Sequence, residues 1–463
     1  MLGLTLFFAS IVATLHVNLY LIGNPVRPIT YYIDSGLGDD GNDGKSPESA
    51  WRTVSKVNDQ LFHSGDSILF VRGGCWREKL RIQDSRFGQY PITFGAYGSG
   101  AKPLLLGSIM KNQQADWTLV GPAIWATSVN SFPADVGFML LGTEATNHTG
   151  IKCERLDQVD APREFWYNSI LKRVHVYCIQ NPASEYGSIE IAYSSDRHDH
   201  MITGTRVAHI TIKDLAIKYF NSHGIAFANS RGVTIQGCDI AFGGGQYQYE
   251  AQTVRYGNGI EFWEGTRDAR VERCKIWEIY DAAMTNQGNN ANEQRNITYF
   301  RNMLWNCEYD FEYWNLPEAS ATSTIAFTGN VCLKAGSGWS HSQRPDPSGR
   351  CLCFFKNLAA VTSFEMANNS FIEATGNAMY LHSIWNGLDA LVLDNNSYFQ
   401  QTGTMISYHG QAFTMGQFAQ YQAYSGKDAS SFSGDLALVK DHARSLVDPS
   451  DSALLESILS TIT

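Results

Sequence analysis

Two short stretches of the chain carry the same pattern of a carboxylate and a tryptophan between apolar residues. One reads Gly-Ile-Glu-Phe-Trp and ends at Trp263, and the other reads Asp-Phe-Glu-Tyr-Trp and ends at Trp314. Because side chains alternate between the two faces of a β-strand, Glu261 and Glu312 share a face with these tryptophans. Carboxylates transfer protons during glycosidic cleavage, and indole rings stack on pyranose rings. The pattern therefore predicts a sugar-binding cleft.

Two further aspartates extend this set. Asp281 and Gln287 lie between the two stretches and are predicted near the same face, while Asp310 opens the second stretch. We predict an acid/base set of Glu261, Asp281, Asp310 and Glu312. Carboxylates on neighbouring strands lie about 5 Å apart and those two strands apart about 9 to 10 Å, which resemble the separations in retaining and inverting glycosidases. Glu261 and Glu312 form the wider pair, although a single exposed carboxylate is also ordinary on a solvated sheet.

Two glycine-rich segments interrupt the regular pattern at residues 243–258 and 336–347. Long loops of a repeat protein often gather on its binding face, so these loops are expected to form the walls of the cleft. The second loop adds candidates for stacking, binding or proton transfer, namely Trp339, His341, Arg344 and Asp346. His223 and His382 are interpreted as structural histidines.

A repeat of short alternating strands organises the middle of the chain. Each copy is an apolar strand that runs into a turn ending in Asn or Cys. The copies begin at Val233, Ala269, Ile297, Ile325, Phe364 and Leu391. Their spacing fits a coil of a little under thirty residues with two insertions, and each coil adds one strand to parallel sheets. Asn side chains at the turns are expected to hydrogen-bond along the stack, with thiols at Cys238 and Cys274. The fold class predicted is all-β.

Three other stretches carry a family resemblance. They run from Tyr31 to Gly74, from Phe165 to Pro182, and from Phe418 to Ser431. The chain resembles secreted right-handed parallel β-helix proteins of the pectate-lyase-like superfamily. The resemblance implies a single-stranded β-helix with an N-terminal capping segment and a short C-terminal cap. It also implies a polysaccharide lyase, glycoside hydrolase, epimerase or non-catalytic protein, and it does not choose among them.

The net charge and the N-terminal residues restrict the binding partners and the cellular location of the protein. The 463 residues carry a formal net charge of −10, and no basic stripe indicates nucleic-acid binding. An apolar run over residues 2–23 predicts a signal peptide or membrane tether, and hence a secreted protein or one on the extracellular face of a membrane. We expect residues 1–24 to serve export and residues 25–200 to form the N-terminal cap and the first irregular coils. Residues 201–410 are expected to form the regular coils, and residues 411–463 the closing segment and tail. A monomer is expected, with the tail after Asp435 covering the last coil.

Three functions follow as hypotheses. The leading one is an extracellular enzyme that hydrolyses glycosidic bonds of a polysaccharide through the paired carboxylates, with Trp263, Trp314 and Trp339 as sugar platforms and no cofactor. The second is a polysaccharide lyase, in which the carboxylates hold Ca²⁺ against a uronate and Arg344 or Lys356 abstracts a proton. The third is a non-catalytic glycan-binding solenoid.

Overall fold

Three long, mainly parallel β-sheets form the body of the protein. The computed structural model describes residues 27–83, 88–146, 148–248 and 254–462, so the predicted export segment lies outside the described residues. Successive strands along the chain enter the three sheets in turn, so each coil adds one strand to each sheet. The predicted all-β, right-handed parallel β-helix is confirmed. Among the described residues, no helix is both long and apolar enough to cross a bilayer.

Each sheet runs along the length of the solenoid. Sheet 1 contains Thr30–Ile33, Ser67–Val71, Ile92–Tyr97, Ala208–Lys213, Arg231–Gln236, Ala269–Glu272, Glu293–Phe300, Ala321–Thr328, Ala360–Val361, Phe364–Ala367 and Leu391–Asp394. Sheet 2 contains Cys75–Trp76, Leu104–Leu106, Ala216–Phe220, Asp239–Gly243, Lys275–Ile279, Met303–Trp305, Val331–Ala335, Ser370–Ala374, Ser397–Phe399 and Phe432–Ser433. Sheet 3 contains Leu80–Ile82, Ile202–Thr205, Ile225–Ala228, Ile260–Trp263, Ala282–Gly288, Tyr309–Asn315, Arg350–Phe354, Asn377–Leu381, Ile406–Tyr408 and the antiparallel Gln411–Phe413.

The repeat found in the sequence forms sheet 1 without a shift in register. Ala269 pairs with Ile297, Ile297 with Ile325, Ile325 with Phe364, and Phe364 with Leu391. The inward positions of these strands stack into apolar columns, in which each fully buried large side chain contributes roughly 1.5 to 3 kcal/mol. One such column consists of Ile212, Ile235, Val271, Tyr299, Phe327, Met366 and Leu393. The insertions between copies therefore leave the stacking intact.

An asparagine ladder joins the turns, as the sequence predicts. Each backbone N–H donates to the side-chain oxygen of the next member, at 2.9 to 3.0 Å. The members in order are Cys274, Asn302, Asn330, Asn369 and Asn396. Their side-chain amides also donate within the ladder or to buried carbonyls, which satisfies polar groups that burial would otherwise leave unpaired. Cys238 and Cys274 are buried free thiols, and the other seven cysteines are free as well.

Antiparallel strands interrupt the solenoid between its first and later coils. One small sheet contains Ser108–Met110, Met139–Leu141 and Ile189–Ala192, and a second contains Thr118–Gly121, Ile124–Ala126, Ile151–Lys152, Glu164–Asn168 and Arg173–Tyr177. A two-stranded hairpin pairs Gln246–Tyr247 with Arg255–Tyr256. The antiparallel region has its own apolar cluster, centred on side chains such as Phe165 and Val176.

The helices are short and mostly lie near the two ends of the chain. The α-helices are Val54–Asn58, Pro182–Tyr186, Phe418–Ser425, Leu436–Leu446 and Ser452–Leu459, and the 3₁₀ helices are Pro47–Ser49, Gln114–Asp116, Leu156–Gln158, His341–Gln343, Leu388–Ala390, Met415–Gln417 and Pro449–Asp451. Phe418 and Tyr421 pack into the main core beside the last coils. The last two α-helices instead pack against the flank of sheet 2, around Trp305 and Leu333. The tail after Asp435 thus lies along this flank, where it also contacts the last coils through Phe399 and Ser397.

Candidate functional site

The two predicted carboxylate–tryptophan stretches form neighbouring parts of one face of sheet 3. The strands of this region are β1 (Ile225–Ala228), β2 (Ile260–Trp263), β3 (Ala282–Gly288), β4 (Tyr309–Asn315), β5 (Arg350–Phe354) and β6 (Asn377–Leu381). Glu261 pairs with Thr285, and Thr285 pairs with Glu312. The two glutamates therefore lie two strands apart, or about 9 to 10 Å along the solenoid at the backbone.

A second row of outward side chains runs parallel to the glutamates. Trp263 pairs with Gln287, and Gln287 pairs with Trp314. The two indole rings reach over the glutamine between them, with centroids 5.7 Å apart and planes at 84°. This arrangement places two large aromatic rings beside the glutamates, as the sequence predicts.

These rows line an open cleft of about 220 Å³. Its lining consists of His223, Gln248, Val254, Arg255, Tyr256, Asn258, Glu261, Trp263, Asp281, Gln287, Tyr309, Glu312, Trp314, Arg344, Asp346 and Phe355. The structure thus brings together three of the four predicted acid/base residues. Both predicted loops contribute residues to the lining.

Glu312 is held in a nearly dry environment. The residue is only 5% exposed, and its Oε2 accepts hydrogen bonds from Gln287 at 2.6 Å and from Thr285 at 3.3 Å. Burial raises the pKa of Glu312 to about 8, and the negative charge of nearby Asp281 acts in the same direction. Burial therefore favours the protonated form of the carboxyl group. Because both hydrogen bonds reach Oε2, we assign the proton to Oε1.

Glu261 is positioned by a histidine. His223 Nε2 contacts Glu261 Oε2, and His223 Nδ1 accepts the backbone N–H of Asn258 at 3.0 Å. A ring nitrogen that accepts a hydrogen bond carries no proton, so the ring proton lies on Nε2 and is donated to Glu261. The contact therefore fixes the orientation of Glu261, with Oε2 as the hydrogen-bond acceptor.

The third carboxylate, Asp281, is paired with an arginine from the second loop. Arg344 Nη1 lies 3.0 Å from Asp281 Oδ1 and also donates to the carbonyl of Tyr280 at 3.1 Å. Burial raises the pKa of Asp281, and the Arg344 guanidinium opposes that shift. Arg344 also lies 3.5 Å from Asp346, so two carboxylates compensate its charge.

Two buried glutamates anchor the second loop. Glu278 accepts the backbone N–H of Trp339 at 3.0 Å, and Glu308 accepts Nδ1 of His341 at 2.9 Å. Trp339 is only 7% exposed, packs against Phe138 at 5.2 Å and does not line the cleft. The predictions of Trp339 as a sugar platform and His341 as a binding residue are therefore not supported, because both side chains hold the loop instead.

Asp310 and Lys356 also lie outside the cleft lining. Asp310 is fully buried in the coil interior, where the chain turns a corner and places Asp310 as well as Phe311 inward. Its two carboxylate oxygens have no conventional hydrogen-bond donor among the described residues, and burial raises its pKa well above the usual range. Lys356 is exposed just past β5. The structure thus separates Asp310 from the other three carboxylates.

Several lining residues are not predicted from the sequence. The sequence predicts a structural role for His223 and no role in the cleft for Tyr256, Tyr309 or Phe355, all of which line it. The register of sheet 3 contains a signal for Phe355, because it follows the strand that pairs with the Trp314 strand. Tyr256 lies on the loop hairpin and has no such signal in the repeat.

Comparison with known proteins places this site in a wider context. No protein family's sequence profile matches the chain. One curated relative, the lacto-N-biosidase of Bifidobacterium longum subsp. longum, is 36% identical over 91 residues, which are 18% of this chain and 6% of that protein. The shared stretch is thus a small part of the relative.

Some solved structures are similar to this chain at low sequence identity. A GH136 lacto-N-biosidase from Eubacterium ramulus is 13% identical with a TM-score of 0.42, over 92% of this chain and 69% of that chain. A structure described as a glycoside hydrolase is 9% identical with a TM-score of 0.49, over 90% and 98% of the two chains. The resemblance to the pectate-lyase-like superfamily stays a prediction, and the β-helical fold itself rests on the sheet topology of this structure.

Proposed function

We propose that this protein is a carbohydrate-active enzyme that hydrolyses a glycosidic bond of a neutral glycan in the cleft on sheet 3. The observation that carries the proposal is a pair of glutamates that lie two strands apart in different surroundings. Burial raises the pKa of Glu312, whereas Glu261 accepts a hydrogen bond from His223 Nε2. Two carboxyl groups of opposite roles are what hydrolysis of a glycoside requires. The lacto-N-biosidase of Bifidobacterium longum subsp. longum, which matches this chain over 91 residues, supports the carbohydrate-active class.

In this proposal Glu312 is the general acid. Its Oε1 delivers a proton to the glycosidic oxygen as the bond to the anomeric carbon breaks. Gln287 and Thr285 hold the other oxygen and fix the orientation of the carboxyl group. The buried position retains the proton at neutral pH, where an exposed glutamate would already be ionised.

Glu261 is the general base. It takes a proton from a water molecule that attacks the anomeric carbon from the face opposite the leaving oxygen. The two-strand separation leaves room for that water, which favours inversion over retention. Asp281 lies nearer to Glu312 than Glu261 does, but Asp281 is paired with Arg344. We therefore assign Asp281 to the electrostatic field around the general acid.

The charges of the cleft favour a neutral substrate. Arg344 is compensated by Asp281 and Asp346, and Arg255 donates to the carbonyls of Gly245, Gln343 and Gly137. No cation among the described lining residues is thus left for a uronate carboxylate. Trp263 and Trp314 provide apolar ring faces instead.

The decisive experiment incubates the purified protein with neutral and uronate polysaccharides and with a 4-nitrophenyl lacto-N-bioside, with and without chelator. On the polysaccharides, hydrolysis predicts new reducing ends without the ultraviolet absorbance of an unsaturated product, and Glu312→Gln and Glu261→Gln are each expected to lower their rate of formation strongly. The anomeric configuration of the first product, followed by NMR, is expected to be inverted. Absorbance that disappears with chelator would establish the calcium-dependent lyase, and tight binding without turnover would establish the non-catalytic solenoid.

The location, oligomeric state and cofactor requirement of the protein are part of the same proposal. We propose a secreted protein or one tethered on the extracellular face through residues 2–23, acting as a monomer without a cofactor. Secretion assays of the full chain, and light scattering of the purified protein, test these points. Within the described residues, no three His, Cys, Asp or Glu side chains are arranged to hold a metal ion.

A further inference from the structure

The outer face of sheet 3 continues beyond the cleft as a run of aromatic rings. Cys353 of β5 pairs with Glu312 and with Tyr380 of β6. The second row continues in the same way, because the N–H of Phe355 donates to the β4 carbonyl of Tyr313, and the N–H of His382 donates to Phe354. We call Phe355, Tyr380 and His382 the aromatic strip. It begins in the cleft, since Phe355 is one of the lining residues.

Ring contacts make the strip continuous. Phe355 lies edge-on to Tyr309 at 5.7 Å and to Tyr380 at 6.5 Å, and Tyr380 lies 6.4 Å from His382. The guanidinium of Arg350 lies 3.7 Å from the centroid of Tyr380 and fixes that ring. The three strip side chains are half-buried, so part of each ring is accessible.

The surface on the other side of the glutamates, toward the start of the solenoid, is different. Ala226 of β1 pairs with Glu261, and Thr203 of the preceding strand pairs with Ala226. Ala228 pairs with Trp263, and Thr205 pairs with Ala228. The paired positions on the two strands before the glutamates are therefore small, whereas the strands after them present Cys353 and the three rings of the aromatic strip.

The order of the glutamates gives this asymmetry a chemical meaning. The attacking water, the anomeric carbon and the leaving oxygen lie roughly in line in an inverting displacement. Water lies on the side of Glu261, and the leaving oxygen lies on the side of Glu312. The leaving group therefore extends from Glu312 away from Glu261, toward β5 and β6.

We propose that the aromatic strip is the binding subsite for the leaving-group side of the glycan, and that its ligand is a neutral sugar chain of more than one ring. This inference rests on the proposed function, because it uses the roles assigned to the two glutamates. The strip covers the two strands after Glu312, about 9 to 10 Å of solenoid. Rings of this kind bind the apolar faces of pyranoses without requiring a charge.

The test compares two substrates with the same sugar on the non-leaving side. One has a 4-nitrophenyl leaving group, and the other has two or more further neutral sugars. Phe355→Ala and His382→Ala are each expected to lower kcat/KM for the longer substrate by roughly two- to tenfold, through KM, while changing the aryl substrate less than twofold. Thr203→Ala, on the opposite side, is the matched control and is expected to leave both values unchanged. Thermal melting shows whether each variant is folded.

Equal losses on both substrates, or no loss on either, would overturn the leaving-group subsite. If the wild-type protein cleaves no member of the panel, electrophoresis through gels that contain neutral polysaccharide supplies the second readout. Retardation that Phe355→Ala removes and Glu312→Gln keeps would retain the strip as a glycan site and discard the hydrolytic proposal. Retardation unaffected by Phe355→Ala, or none at all with the whole panel, would discard the strip.

Discussion

Replacing Glu312 with Gln gives the sharpest test of the proton assignment. The amide keeps the shape of the side chain and an oxygen that can accept from Gln287, but it has no proton to transfer. A well-placed general acid accelerates proton transfer by roughly 10²- to 10⁴-fold, so we expect a loss of that size in kcat/KM on a substrate with a sugar leaving group. The loss is expected to be smaller on a 4-nitrophenyl glycoside, because that leaving group needs little protonation.

The pH dependence follows from the raised pKa. Glu312 is active when protonated, so kcat/KM of the wild-type protein is expected to fall as pH rises through about 8. The variant has no such group and should lose this alkaline limb. An alkaline limb that remains at the same pH in Glu312→Gln would refute the assignment, as would full activity of the variant on the sugar leaving group.

The same carboxyl group makes a prediction about folding. Because burial raises the pKa of Glu312 from 4.5 to about 8, ionisation of this group in the folded state costs free energy that ionisation in the unfolded chain does not. The corresponding stability is present below pH 4.5 and is lost as pH rises toward 8. Glu312→Gln should therefore melt increasingly above the wild-type protein between pH 5 and pH 9. A constant difference in melting temperature across that range would contradict the buried carboxyl group.

Three further substitutions test other parts of the structure. Asp310→Asn is expected to keep kcat/KM within about twofold, since a buried acid away from the cleft has no proton to supply there. Because burial raises the pKa of Asp310, the variant should become more stable than the wild-type protein as pH rises. A large loss of kcat/KM in a folded variant would restore the predicted catalytic role of Asp310. Asn330→Ala should lower the free energy of unfolding by roughly 2 to 4 kcal/mol, because several buried partners lose their hydrogen bonds, with the exposed Gln420→Ala as control; equal melting curves would contradict the ladder. His223→Ala should lower kcat roughly 10-fold or more through misplacement of Glu261. His223→Gln, whose amide can donate to Glu261, should recover part of that loss, and equal kcat values for the two variants would argue against a positioning role.

The sequence predicts the parts of the site that belong to the repeat. Each coil returns to the same register, so Glu261 and Glu312 fall on one row once the spacing of the copies is known. The alternation of strands then places Trp263 and Trp314 on the same face. Register is strongly specified here because a shift by one residue would turn the buried side chains outward.

Alternation fails where the chain turns between sheets. Asp310 and Phe311 are consecutive, yet both face the interior because the backbone bends at the start of β4. The sequence contains no marker for this bend. For a carboxylate next to an apolar residue at the start of a strand, the sequence therefore does not determine whether the carboxylate points inward or outward. The fold determines it.

Loop residues could not be placed from the repeat, because their partners come from distant parts of the chain. Gln343 accepts the N–H of Lys152 and donates to the carbonyl of Gly150, some 190 residues earlier. Arg255 also donates to the carbonyl of Gln343, which joins the hairpin to the same contact. The antiparallel region thus braces both walls of the cleft.

This bracing explains why Trp339 and His341 serve structure while Arg344 reaches the site. Glu278 and Glu308 hold the start of the loop by backbone and imidazole hydrogen bonds, and Gln343 fixes it just before Arg344. A loop fixed at these points has little freedom at the next residue, so the guanidinium is directed to Asp281. The solenoid supplies the row of acids, and the antiparallel insertion determines which loop side chain meets them.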